Sequence, residues 1–114
     1  MEKKDYDLED SGKRTYFPSG LMIEDQDGKT AYHLLPVEII EDLAVLLTKG
    51  AKKYAENNWQ KSCTIEEANI YKSKAFRHFI AWCKGDEKED HKSACLFNMY
   101  VHDNTWKNIV NSQE

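Results

Sequence analysis

The sequence predicts an all-α protein, a small bundle of three main helices that follows an irregular N-terminal arm. Glycine and proline are concentrated in the first third of the chain, and neither occurs between Gly50 and Gly85 or after Gly85. Long stretches without these residues favour helices. Apolar residues in these stretches recur at spacings of three and four, and no window shows the strict alternation of a strand.

The chain has 114 residues, which is enough for one domain with a single modest core. We expect residues 1–35 to form the arm and residues 36–114 to form the helical domain. Because three helices of this length give a thin core, we also expect the chain to self-associate as a homo-oligomer.

The charge and composition exclude several classes of protein. The formal net charge of -4 argues against a nucleic-acid polymer as the main partner, because such proteins carry basic surfaces. The sequence contains no run of about 18 apolar residues, so no membrane span is predicted. The charged start of the chain lacks the apolar core of a signal peptide. We therefore expect a cytoplasmic protein without membrane contact. Three cysteines without a C-x-x-C pair support neither a disulfide framework nor a zinc ribbon.

The first helix is predicted to begin at Pro36, because proline suits an early helical position. Its apolar stripe includes Val37, Ile40, Ala44 and Leu47. We expect Gly50 to interrupt it, with a basic stretch over 51–54 and a loop over 56–59.

The second helix is predicted from about Thr64 to Lys84. Thr64 and Glu67 stand three residues apart, which is a capping-box pattern, and Gly85 is expected to end the helix. The third helix is predicted to begin within 86–90 and to reach about Val110, since an acidic start suits the positive end of a helix dipole.

The first group of candidate functional residues is acidic and lies on the first helix. Spacings of three and four place Glu38 on one helix face with Glu41 and Asp42. Like charges crowded on one face repel unless a cation relieves them. The alternative interpretation is a solvated face with acids that favour the helix dipole.

A second acidic group follows Gly85, where Glu87 and Asp90 repeat the three-residue spacing of Glu38 and Glu41. Carboxylates from two helices can share one or two Mg²⁺ ions, which prefer oxygen ligands and substrate phosphates. The alternative is an exposed acidic turn at a helix N-terminus.

The third group is cationic and includes Lys53, Arg77 and His78. Arginine offers a planar fork for phosphate, and histidine can exchange a proton near neutral pH. The alternative is an arginine paired with one of the many acids, beside a half-buried histidine.

Asn98 and the pair Asn58 and Trp59 are further candidates. Asp90 and Asn98 share a helix face, and the small Ala94 between them leaves room for a ligand. Asn98 can instead bond a neighbouring helix. Trp59 can stack on a base or anchor the fold.

Three motifs together resemble a known family, the phage dATP/dGTP diphosphohydrolases of the MazG-like all-α NTP pyrophosphatase superfamily. The motifs are Gly50-Ala51-x-Lys53-Tyr54-x-x-x-Asn58-Trp59, Ala75-x-Arg77-His78, and Gly85 followed by acids and Asp90-His91-x-x-Ala94-x-x-x-Asn98. The resemblance covers roughly residues 15–106, nearly the whole domain.

The resemblance implies a MazG-like helical core that binds Mg²⁺, or Mn²⁺, against a nucleoside triphosphate. It also implies hydrolysis to a nucleoside monophosphate and pyrophosphate, with purine deoxynucleotides favoured. Glu38 with Glu41 or Asp42 would be the first ligand pair, and Asp90 with Glu87 or Asp86 the second. Lys53 and Arg77 would neutralise phosphate charge, and His78 would orient phosphate or water. The nucleotide side would be lined by Tyr54, Asn58 and Trp59, with Asn98 as a further substrate contact.

Two other functions are compatible with the same residues. The chain could be a non-catalytic helical module of a phage that binds a nucleotide or a protein. It could also be a purely structural bundle whose acids only decorate the surface.

Overall fold

The computed structural model describes residues 9–113, so residues 1–8 of the predicted arm and Glu114 lie outside the described residues. The helices are α1 (Val37–Lys53), α2 (Ile65–Cys83) and α3 (His91–Asn111). Two three-residue strands, β1 (Arg14–Tyr16) and β2 (Met22–Glu24), precede them. The predicted all-α fold with three main helices is confirmed. The chain divides after Leu34 into two compact units.

The N-terminal unit contains an antiparallel hairpin that the sequence analysis did not predict. Arg14 pairs with Glu24 and Tyr16 with Met22, and the connecting turn is closed by a hydrogen bond from the Gly20 N–H to the Phe17 carbonyl (2.9 Å). Gly20 has a φ of 93°, which favours glycine. Strands of three residues are too short to show a period-two pattern, so this segment reads as irregular.

The predicted interruption of the first helix at Gly50 was wrong. Helix α1 continues to Lys53, and the Tyr54 N–H still donates to the Gly50 carbonyl at 3.0 Å. A glycine inside a helix lowers the stability by only about 0.5–1 kcal/mol relative to alanine. The helical residues on both sides of Gly50 can therefore keep the helix continuous. The segment predicted as a loop over 56–59 is also partly ordered, because a short 3-10 helix spans Asn58–Lys61.

Helix α2 begins at its predicted capping box, and α3 begins at His91, directly after the predicted range 86–90. Thr64 accepts a hydrogen bond from the Glu67 N–H, and the Glu67 side chain accepts one from the Thr64 N–H, which completes the capping box of α2. Asp90 caps α3 by accepting from the Ser93 N–H. Gly85, with a φ of 76°, lies in the turn between the two helices.

Helices α2 and α3 form an antiparallel hairpin that holds most of the core, and α1 packs on α3 with fewer contacts. Among the described residues the buried apolar side chains are few: Ala68, Ala75, Ala94, Val101 and Ile109. No helix within residues 9–113 is both long and apolar enough to cross a membrane.

A buried polar network fixes the segment before α2 against α3. The hydroxyl oxygens of Ser62 and Thr105 are 2.6 Å apart, and the Thr105 hydroxyl also donates to the Val101 carbonyl at 2.8 Å. Asn108 donates to the Ser62 carbonyl at 2.8 Å. These bonds set the register of α3 relative to the start of α2.

Candidate functional site at the turn between α2 and α3

The turn that joins α2 to α3 carries a shallow acidic hollow of about 370 Å³. The register of the helical hairpin brings side chains from the end of α2, the turn and the start of α3 to this one place. The residues that line the hollow are Trp82, Asp86, Glu87, Glu89, Asp90, His91 and Lys92. Both acids predicted as the second ligand pair, Glu87 and Asp90, are therefore among them.

Asp90 has a structural role in the hollow besides any chemical one. Its carboxylate accepts hydrogen bonds from the Ser93 hydroxyl (2.6 Å) and the Ser93 N–H (3.1 Å). These two bonds lower the pKa of Asp90, the side-chain bond having the larger effect. Each carboxylate oxygen retains a second lone pair, so Asp90 can still accept from or ligate another group.

Asp86 lies at the start of the turn and orients a histidine. Its carboxylate accepts from the Lys88 N–H at 3.1 Å and lies 2.9 Å from Nε2 of His91. The Lys88 bond, followed by the His91 bond, lowers the pKa of Asp86. An ionised carboxylate only accepts hydrogen bonds, so Nε2 of His91 carries the proton.

Two imidazole rings from different helices meet behind the hollow. Nδ1 of His78 on α2 lies 2.8 Å from Nδ1 of His91 on α3, and the ring centroids are 5.1 Å apart. His91 is 6% exposed, whereas His78 is half-buried. Burial lowers the pKa of His78, and the neighbouring His91 lowers it further. A neutral His78 is thus favoured near pH 7.

Glu89 completes a group that could hold a metal ion. Its Oε2 lies 3.9 Å from Nδ1 of His91, and ligand atoms of His78, Glu89 and His91 all lie within 4.8 Å of one another. Within residues 9–113 no other group of three His, Cys, Asp or Glu residues meets this distance. The predicted carboxylates of α1 and of the turn therefore do not form such a cluster within one chain.

The acids of α1 lie where the sequence places them along the helix. Glu38, in the first turn, and Glu41 are exposed, and Asp42 is half-buried. All three offer carboxylate oxygens, which suit a hard divalent cation such as Mg²⁺.

The two predicted cations are both exposed but lie on different helices. Arg77 faces outward on α2, where it lines a shallow groove of about 550 Å³ with Ile70 and Ser73. Lys53 lies in the last turn of α1, and its Nζ lies 5.2 Å from the centroid of the Tyr54 ring.

The predicted nucleotide-side residues are in part packing residues. Trp59 is half-buried and makes edge-to-face contacts with Phe97 and Tyr100, each with ring centroids 5.7 Å apart. Asn98 is buried, and its side chain donates to the Ala94 carbonyl of its own helix at 2.7 Å. The alternative to a ligand contact that the sequence offered was a bond to a neighbouring helix, and this bond of Asn98 is not of that kind. Tyr54 and Asn58 are exposed.

No role for Glu89 or His91 is predicted from the sequence, which leaves Asp86 open as an alternative to Glu87. One signal could have found the histidine pair. His78 and His91 are almost equally distant from Gly85, so an antiparallel hairpin that turns there brings them face to face.

The family model described as "dATP/dGTP diphosphohydrolase, N-terminal" matches residues 22–108, which include all of α1, α2 and most of α3. No curated protein and no solved structure matches the chain significantly.

Proposed function

We propose that the chain is a metal-dependent nucleoside triphosphate diphosphohydrolase, because it belongs to the dATP/dGTP diphosphohydrolase family. The family match, which extends over residues 22–108, is the observation that carries the proposal. The substrate would be a purine deoxynucleoside triphosphate in the cytoplasm, and the products a nucleoside monophosphate and pyrophosphate.

The donor atoms of the acidic residues fit Mg²⁺ or Mn²⁺. Glu38 and Glu41, with Asp42, offer carboxylate oxygens on α1, and Glu87 and Asp90 offer them in the hollow. These residues would hold the cation. When bound, it would neutralise phosphate charge and lower the pKa of a water.

Lys53 and Arg77 would bind the phosphate oxygens of the substrate. Both side chains are exposed, and neither forms a salt bridge with an acid in the described part of the chain. A cation without a protein partner can pair with phosphate at no cost of a broken ion pair. Charge on the transferring group would then be balanced while water displaces pyrophosphate from the α-phosphorus.

His78 would orient the attacking water or a phosphate oxygen. Because Asp86 fixes the proton of His91 on Nε2, Nδ1 of His91 is an acceptor and Nδ1 of His78 donates to it. Nε2 of His78 then has a free lone pair. A neutral ring in this tautomer accepts a hydrogen bond from water through Nε2.

The nucleoside would contact the segment after α1 and the middle of α3. Tyr54 and Asn58 are exposed and free to meet a base or sugar. Trp59 would support this segment through its contacts with Phe97 and Tyr100. Asn98, which is buried on α3, would be a further substrate contact.

A homo-oligomer would complete the fold and the site. Each of the three helices carries several large apolar side chains that are at least 40% exposed, among them Ile40, Phe76 and Met99. The buried apolar core, by contrast, is small. A second copy of the chain could cover these faces and bring carboxylates of α1 toward a hollow on its partner. Light scattering after size-exclusion chromatography should give a mass at least twice the monomer's 13.3 kDa. A 13.3 kDa species at every concentration would contradict the oligomer.

The test of the function is hydrolysis of a panel of nucleoside triphosphates with and without Mg²⁺. We expect pyrophosphate release that depends on Mg²⁺, is fastest with dATP or dGTP, and is lost in Glu38→Gln. Glu56→Gln is the matched control, because Glu56 is also exposed but lies outside the ligand pairs. Nucleotide binding without turnover in Mg²⁺ or Mn²⁺ would instead favour the non-catalytic module.

A further inference from the structure

We propose that His78, Glu89 and His91 form a binding site for a divalent transition-metal ion of the Zn²⁺ type, distinct from the carboxylate pairs. The proposal rests only on the geometry of these side chains and not on the diphosphohydrolase function. With the ion bound, Nε2 of His78 would carry a proton and would no longer accept a hydrogen bond from water, so the two roles of His78 exclude each other.

The donor set selects the class of metal. Two imidazole nitrogens and one carboxylate oxygen suit Zn²⁺, Co²⁺ and Fe²⁺, whereas Mg²⁺ prefers oxygen ligands alone. Three protein ligands leave a coordination position open for water or a substrate oxygen. Glu89 and His91 border the hollow of about 370 Å³, so that position can be reached from solvent.

The second carboxylate in this cluster orients a ligand. A metal-bound histidine usually donates its other ring N–H to a carboxylate or carbonyl, which fixes the tautomer and the ring orientation. Asp86 does this for His91, since its Oδ2 lies 2.9 Å from Nε2. The lone pair on Nδ1 of the buried His91 therefore faces His78 and Glu89.

The distances require only local adjustment. Two nitrogens on one tetrahedral Zn²⁺ stand roughly 3.3 Å apart, given Zn–N bonds of about 2.0–2.1 Å. The two Nδ1 atoms are 2.8 Å apart and joined by a hydrogen bond, so the rings must move apart by about 0.5 Å to bind one ion. Glu89 is exposed and lies in the turn, so its side chain can move toward the pair.

The proton shared by the two rings must leave when the ion binds. In the present tautomer Nδ1 of His78 carries this proton and Nε2 has a free lone pair. The proton departs from Nδ1 to solvent while Nε2 takes one up, so His78 stays neutral and no net proton is released.

The experiment is titration of the tag-free, EDTA-treated full chain with Co²⁺ and Zn²⁺ in excess Mg²⁺, which occupies carboxylate sites. We expect one Co²⁺ per chain, a visible d–d spectrum of an ion with nitrogen ligands, displacement by Zn²⁺, and a higher melting temperature. Because His91 is buried and its variants can fail to fold, the test variants are His78→Gln and Glu89→Gln, whose folding is checked by circular dichroism.

Each of these two variants should weaken Co²⁺ binding by about tenfold or more, and Asp86→Asn by about 10–100-fold, the usual effect of losing an orienting partner. His102→Gln is the control, because His102 lies on α3 outside the cluster and bonds Asp103. Absence of binding in excess Mg²⁺, or unchanged Co²⁺ affinity and spectrum in His78→Gln, would overturn the proposal.

Discussion

Asp90 has one observed role and one proposed role, which a single substitution can separate. Its carboxylate caps α3 through Ser93, and the same carboxylate is a proposed ligand of Mg²⁺. Serine is also a good N-cap residue but offers no carboxylate. A change to serine therefore removes the ligand and retains most of the cap.

We predict that Asp90→Ser changes the free energy of unfolding by less than about 0.5 kcal/mol, whereas Asp90→Ala lowers it by about 1 kcal/mol. Both variants should lose Mg²⁺-dependent hydrolysis by about tenfold or more, because both lose the ligand. Urea unfolding and pyrophosphate release measure the two effects. Full activity in Asp90→Ser would show that Asp90 acts only as a cap.

Thr105 is a residue whose importance comes from burial. It is completely buried, and its hydroxyl links Ser62 to the Val101 carbonyl. Valine has a similar shape but no hydroxyl, so Thr105→Val removes the contact with Ser62, whose hydroxyl keeps its bond to the Trp59 carbonyl (3.1 Å).

We predict that Thr105→Val lowers the free energy of unfolding by about 1 kcal/mol, the usual net contribution of an intramolecular hydrogen bond. Thr48→Val is the matched control, because Thr48 also donates to the carbonyl four residues earlier but is exposed. Its effect should stay within about 0.5 kcal/mol. Equal effects in both variants would mean that the link to Ser62 contributes nothing.

At the scale of elements, the capping box decides where α2 begins. The Glu67 carboxylate accepts hydrogen bonds from the N–H groups of Cys63 and Thr64 and from the Thr64 hydroxyl. The Cys63 bond, followed by that of the Thr64 side chain, lowers the pKa of Glu67. A lowered pKa means that the ionised form stabilises the fold at neutral pH, and that this contribution is lost as the pH falls through the folded-state pKa.

We predict that Glu67→Gln is less stable than the parent chain near pH 7, and that the difference disappears in acid below the ordinary pKa range of glutamate. Glutamine keeps the shape and one acceptor oxygen, so the difference isolates the charge. Thermal unfolding of both proteins from pH 7 to pH 3 is the measurement, with Glu66→Gln as the neighbouring control. A difference that is constant over this range would contradict the assignment.

The start of α2 could be predicted because capping is local in sequence: Thr64 and Glu67 are three residues apart. The start of α3 was predicted only within 86–90, from its acidic residues, and the cap at Asp90 is a finding of the structure. The prediction that α1 is interrupted at Gly50 was wrong, because the neighbouring residues keep the helix intact although glycine has a low helix propensity. The hairpin was missed since its strands are three residues long, and its pairing depends on contacts between residues ten apart, such as Arg14 and Glu24.

The candidate site was predictable only in part for the same reason. Glu87 and Asp90 were found from their spacing, and the hollow contains both. The contact between His78 and His91 depends on the register of two helices, which is set by bonds at their far end, such as that between Ser62 and Thr105. No local pattern reports that register.

For the whole molecule, we propose that acids distributed over α1 and the hollow serve one hydrolytic reaction. The net charge of -4 is compatible with a nucleotide substrate if a cation supplies the positive charge that the protein lacks. The small buried core and the exposed apolar faces of the three helices are compatible with a site completed by a second copy.

The most direct test is a ³¹P NMR time course of dATP and dGTP with the chain and Mg²⁺, because it identifies which phosphoanhydride bond breaks. We predict resonances of the deoxynucleoside monophosphate and of pyrophosphate in equal amounts, absent after EDTA treatment and absent in Glu38→Gln. Deoxynucleoside diphosphate with inorganic phosphate, or unchanged triphosphates in the presence of Mg²⁺ and Mn²⁺, would contradict the proposed function.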